Sequence, residues 1–167
     1  MAPGADSNDP ALPGAGAPVF RSLAFEGLAR FDYGDVILVS KPPRTSDDAR
    51  VWAETLFQPS SAPGWVKAAM GLRMALAPLM GLAPAPRGVF QVRRVVGEEA
   101  LIEYADRHLT FRCAVGVDAA AAVVRVTTVV LFNDWRGRVY FTPVSLAHPL
   151  VVHAMLRRAR RRLAARR

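Results

Sequence analysis

Along Asp106-Arg107-His108-Leu109-Thr110-Phe111-Arg112, an acid, an imidazole and a guanidinium fall on every second or fourth position. On an extended strand such positions share one face. Asp106, His108, Thr110 and Arg112 then line one side, and Arg107, Leu109, Phe111 and Cys113 the other. The apolar side has to meet the core, so the polar side meets solvent or a wet groove. A carboxylate can orient an imidazole for proton transfer, and a guanidinium fork can hold an anion. A hydrogen-bonded solvent face has the same appearance, so both readings stay open.

Other polar residues stand among apolar ones. Arg73 recurs at helical spacing with Val66, Met70, Met74, Ala77 and Met80. A guanidinium there needs a partner, from Asp32, Asp35, Asp106 or a ligand carboxylate. The methionines read as adaptable core packing. Thr128 shares a strand face with Val124, Val126, Val130 and Phe132, which turns its hydroxyl inward. Tyr140 shares a face with Arg138 and Thr142, and its direction is open. His148 and His153 are five apart, outside the i, i+4 register of one helical face. The candidate binding residues are therefore Arg73, Asp106, His108, Arg112, Thr128, Tyr140 and His148.

Several chemistries lack their signatures. The three histidines form no metal-binding motif, so no metal is expected. Walker A, GxGxxG and GxSxG patterns are missing, and no cofactor is expected. A single cysteine, Cys113, can form neither an intrachain disulfide nor a thiolate cluster. In its apolar strand it reads as a small hydrophobe.

The elements that must position these residues follow from periodicity. Residues 1–18, rich in Pro, Gly and Ala, read as a disordered leader before a single domain over 19–167. A first strand is centred on Val36 to Val39 and ends at Pro42-Pro43. Thr45 or Ser46 then caps a helix carrying Val51, Trp52 and Leu56, and a second helix runs from about Trp65 to Met80. The period next becomes two. Strands are expected over Val89–Val96, Ala100–Ala105, Arg107–Val115, Ala122–Phe132 and Arg138–Thr142, joined as an antiparallel meander. A final helix is expected from Ser145 or His148, with Val152, Leu156, Ala159 and Leu163 toward the core.

The formal charge is +8, and seven arginines lie from Arg157 onward, which leaves 8 − 7 = +1 for the rest. The basicity belongs to one helix end, where it suits the dipole. It also offers Arg157, Arg158, Arg160, Arg161 and Arg162 to nucleic acid or an acidic partner. The N-terminus lacks the pattern of a signal peptide, and no apolar run reaches the roughly 18 residues of a membrane span. A cytoplasmic protein is expected.

The order of strand, two helices, about five further strands and one long helix resembles the helix-grip, or START-like, fold. Local motifs resemble the bacterial domain-of-unknown-function 2867 family. They are Pro63-Gly64-Trp65-Val66 with Gly71-Leu72-Arg73 and Gly81-Leu82, the Asp106–Arg112 run, Thr127-Thr128-Val129-Val130, Gly137-Arg138-Val139-Tyr140-Phe141, and His148 with Val151. The resemblance implies an α+β fold: a curved antiparallel sheet of about six strands on a long C-terminal helix, with two helices after the first strand. It also implies an apolar or amphipathic small ligand held between sheet and helix. Three functions stay open: a binding module, a cofactor-free cyclase or dehydratase using His108 or His148 as base, and an interaction protein using the basic helix end.

Overall fold

The computed structural model describes residues 20–68, 71 and 88–165. The expected leader lies outside these residues, as does most of the expected second helix, including Arg73; residues 64–68 and 71 are helical. The elements run β1 (Tyr33–Ser40), α1 (Ala49–Phe57), β2 (Val92–Val96), β3 (Glu99–Ala105), β4 (Leu109–Asp118), β5 (Val123–Phe132) and α2 (Trp135–Ala165). The strands form one antiparallel sheet in the order β1-β5-β4-β3-β2. The first strand thus closes against the last, and α1 is carried across one face.

The period-two pattern builds this sheet. β5 is mostly Val and Thr, which suit a pleated surface buried on both sides. β2 and β3 join through Gly97 and Glu98, with Gly97 at φ +55°, a region that glycine enters without a Cβ clash. α1 begins later than the sequence predicts. Its cap is Asp48, whose carboxylate accepts the Arg50 amide at 2.8 Å, while Thr45 and Ser46 bond within the preceding turn.

Both faces of the sheet are covered. The inner face presents Ile37, Ala100, Ile102, Cys113, Val115, Val117, Val124 and Val126 to Trp52 and Leu56 of α1 and to Val152, Leu156 and Ala159 of α2. Full burial of a Leu or Val side chain is worth about 1.5–3 kcal/mol, so this stripe is what holds α2 to the sheet. The outer face carries Leu101, Ala114 and Val129 against Leu23, Ala24, Phe25 and Leu28. Glu99 fastens that segment: its carboxylate accepts the Leu23 amide at 2.6 Å and pairs with Arg125 at 2.6 Å. Gly116 leaves room for this pair, since a Cβ there would stand 3.2 Å from the Arg125 guanidinium.

The sheet has five strands among the described residues, not about six. The segment Arg138–Thr142, expected as a strand, is helical, and α2 starts at Trp135 instead of Ser145 or His148. Two interactions decide this against the β-branched and aromatic side chains. Asp134 caps the helix by accepting the Gly137 amide at 2.9 Å. Helical spacing then places Phe141 against Tyr33 and Phe132, with ring centroids 5.0 and 5.6 Å away. Pro143 and Pro149 lie inside the helix, each withdrawing one backbone bond. The Thr142 hydroxyl turns back onto the Arg138 carbonyl at 2.9 Å nearby.

Candidate functional site

Alternation along β1 sends Tyr33, Asp35, Ile37 and Val39 to the inner face. Register then assembles a polar row across the sheet. Asp35 lies opposite Thr128, and Thr128 lies opposite Cys113. From above, α2 supplies His148, two helical turns beyond Phe141 and on the same side. His148 Nδ1 is 2.8 Å from Asp35 Oδ2, and the Tyr33 hydroxyl donates to the same oxygen at 2.8 Å. The Tyr33 ring stands edge-on to His148, with centroids 5.9 Å apart.

The electrostatics centre on Asp35. Burial, the largest effect, pushes its carboxyl up, but the His148 hydrogen bond and charge, with Tyr33 and Thr128, outweigh it. The net result lies below the ordinary carboxylate value. Tyr33 moves the other way, raised by burial and then by its bond to the carboxylate. The Cys113 thiol is pushed up to about 12, first by burial and then by the Asp35 charge. Asp35 Oδ1 is buried and has no hydrogen-bond partner among the described residues. His148 Nδ1 faces the carboxylate, so Nε2 is the ring nitrogen turned away from it.

Thr128 and His148 are therefore the sequence-predicted residues that this cluster brings together. Asp106 and His108 lie elsewhere. The expected strand over Arg107–Val115 begins only at Leu109, because Asp106 Oδ1 accepts the His108 and Leu109 amides at 2.7 and 2.8 Å and makes a turn. His108, buried, pairs with Asp134 across 2.6 Å. Asp134 is lowered first by the Gly137 amide, an effect burial opposes and His108 reinforces. This imidazole thus clamps the start of α2. Arg112 is buried on the outer face, donating to the Glu26 carbonyl at 2.6 Å beside Glu103. Arg112 thus meets the 20–28 segment, and the Thr110 hydroxyl faces Asn133 at 3.4 Å. Tyr140 is half-buried on α2.

Sequence reasoning gave no binding role to Tyr33 or Asp35. Their signal was the alternation of β1: a carboxylate in step with Ile37 and Val39 has to find partners inside. Two open depressions, of about 130 and about 440 Å³, lie at the sheet rim and outer face, lined among others by Gly116 and Arg125 and by Leu23 and Glu99. Asp35 and His148 line neither.

No curated protein and no solved structure matches the chain. A model of a family described as proteins of unknown function, DUF2867, matches residues 28–155, which take in β1, the sheet and α2 through the Asp35 and His148 positions. The chain belongs to the DUF2867 family.

Proposed function

We propose that this domain binds a small amphipathic molecule between the inner sheet face and α2, anchoring its polar end on Tyr33, Asp35, Thr128 and His148. One observation carries the reading: Asp35 Oδ1 is a buried carboxylate oxygen that accepts no hydrogen bond among the described residues, although Thr128 lies near enough to favour its charge. Buried acceptors in folded proteins are nearly always satisfied, and leaving one bare costs about 1–3 kcal/mol. A ligand hydroxyl or N–H would complete it. The surrounding side chains, Phe141, Phe132 and Cys113, suit an apolar body. A helix-grip arrangement, with a ligand between sheet and long helix, fits the same geometry.

The test is native mass spectrometry of protein purified from its own host, set against the denatured mass. A reproducible extra mass of a few hundred daltons, the scale of a small-molecule pocket, is expected, and Asp35→Ala should lose it. Bare protein, with thermal shifts silent across hydroxyl-, amide- and amine-bearing apolar ligands, would remove the proposal.

A second reading has its own support. Because His148 Nδ1 is committed to Asp35, Nε2 is free to take a proton, the arrangement of a carboxylate-oriented general base. If the bound molecule is turned over, His148→Gln should lower turnover at saturating ligand far more than it weakens binding. Turnover unchanged in that variant excludes His148 as the base.

A further inference from the structure

α2 is apolar on two sides. Its inner side, with Phe141, Val152, Leu156 and Ala159, is buried on the domain. Trp135, Val139, Leu146 and Leu150 are all more than half exposed. Trp135 and Val139 form an i, i+4 pair, and Leu146 and Leu150 repeat it eleven positions on (146 − 135 = 11). Eleven residues make close to three helical turns, so the pairs share a face. Arg157 and Arg161, both exposed, repeat the pair after a further eleven positions. One continuous stripe thus runs from tryptophan through leucine to arginine, and its apolar part is about 22 Å long at the helical rise.

The charge along this stretch is one-sided. Residues 135–167 contain nine arginines and no Asp or Glu, so residues 1–134 carry 8 − 9 = −1. Between Arg138 and Arg157 no arginine, lysine or acid occurs, and α2 is by length and composition apolar enough to cross a membrane. The sequence expectation of no such run overlooked this stretch, because histidine, serine and proline interrupt it. Crossing would require the Phe141–Leu156 side and the His148–Asp35 bond to leave the sheet. Lying along a surface requires neither.

We infer that the outward face of α2 docks on an anionic lipid surface, with Trp135, Val139, Leu146 and Leu150 entering the acyl boundary and Arg157, Arg160 and Arg161 meeting the headgroups. Charge selects this occupant. Two copies paired in parallel through the stripe would bring arginines together with no acid on either helix to answer them, and antiparallel copies would leave both arginine ends outside the contact. A nucleic-acid groove would accept the arginines but leave the exposed leucines and tryptophan without a partner. A negatively charged bilayer surface offers both an apolar depth and anionic groups.

The test is sedimentation of the full chain with phosphatidylcholine vesicles and with vesicles in which roughly a third of the lipid is phosphatidylserine. Binding to the anionic vesicles only is expected, weakening at high salt, with Trp135 emission moving to the blue. Leu146→Ser with Leu150→Ser, and separately Arg157→Gln with Arg160→Gln and Arg161→Gln, should each lower binding roughly tenfold or more. Both sets alter exposed positions, and circular dichroism checks that they fold. Absence of binding to either vesicle overturns the inference. So does binding that ignores the leucine changes. A dimer dispersed by the leucine changes, without vesicle binding, would assign the stripe to a second copy. Duplex DNA binding lost only in the arginine variant would assign it to nucleic acid. Loss of fold in the leucine variant would make the stripe internal core.

Discussion

Asp35 and His148 stand 113 positions apart in the chain and 2.8 Å apart in the fold, carboxylate Oδ2 against imidazole Nδ1. The bond ties the edge strand β1 to the middle of α2. Tyr33 shares the oxygen, and Thr128 and Cys113 continue the row across the sheet. At both residues less than a fifth of the side chain is exposed, so the pair is shielded from most solvent screening.

Removing one partner should therefore cost more than a surface ion pair would. His148→Ala leaves a mostly buried carboxylate with Tyr33 and Thr128 only, and a loss of about 1–3 kcal/mol is expected. Asp35→Ala should cost a similar amount, but the double variant should lose less than the sum. Urea unfolding of the four proteins gives a coupling energy of about 0.5–3 kcal/mol if the bond is formed in solution. Additive losses would mean that helix and strand are held by their apolar stripe alone.

The sign of the pH dependence follows from Asp35. Its carboxyl lies below the ordinary 3.8 despite burial, because His148, Tyr33 and Thr128 favour the charged form. A lowered folded value contributes stability that is present above the ordinary value and is lost as pH falls through the folded one. The side-chain amide of an Asp35→Asn variant does not titrate. The stability gap between wild type and this variant should therefore be full at about pH 6 and shrink as pH drops below the ordinary carboxylate range. A gap that widens in acid would show that burial outweighs the partners.

Much of this arrangement was legible in the chain. The β-branched run of β5 and the inward hydroxyl of Thr128 both followed from period and residue type. Other parts depended on distant partners. Val139, Tyr140, Phe141 and Thr142 carry strand preferences, and only the Asp134 cap and the seat of Phe141 on Tyr33 make them helical. Asp106 and His108 looked like members of one strand face, but side-chain capping of two amides turns the backbone there. Asp35 stood in plain alternation with Ile37, yet its partner lies beyond the whole sheet. Local pattern gave no means of choosing His148 over Arg73.

Cys113 reports whether the inner face opens. Its thiol is 2 % exposed and pushed up to about 12 by burial and the Asp35 charge. It should be inert to Ellman's reagent in the folded protein and react at the rate of a free thiol only in urea. Labelling under native conditions should follow the opening equilibrium of the region. A thiol that reacts immediately in the folded protein would mean that the row from Asp35 to Cys113 is solvent-accessible. An occupant of the proposed site should slow labelling further.

Gly137 sets how closely α2 begins against the sheet. A Cβ at this position would overlap the His108 carbonyl oxygen, which also accepts the Asn133 amide at 2.8 Å. The neighbour is backbone, held from one side by Asp106 and from the other by the His108–Asp134 pair, so it has little room to move. Helix propensity alone favours alanine over glycine by about 1 kcal/mol. The overlap acts in the opposite direction, and forcing extra volume into a packed contact costs about 1–3 kcal/mol. Gly137→Ala should therefore be destabilising on balance, with a lower Tm and weaker hydrogen-exchange protection of the backbone amide at position 137 than in the wild type. Gain of stability in that variant would show that α2 does not begin in contact with the β3–β4 turn, and would remove the clamp assigned to His108 and Asp134.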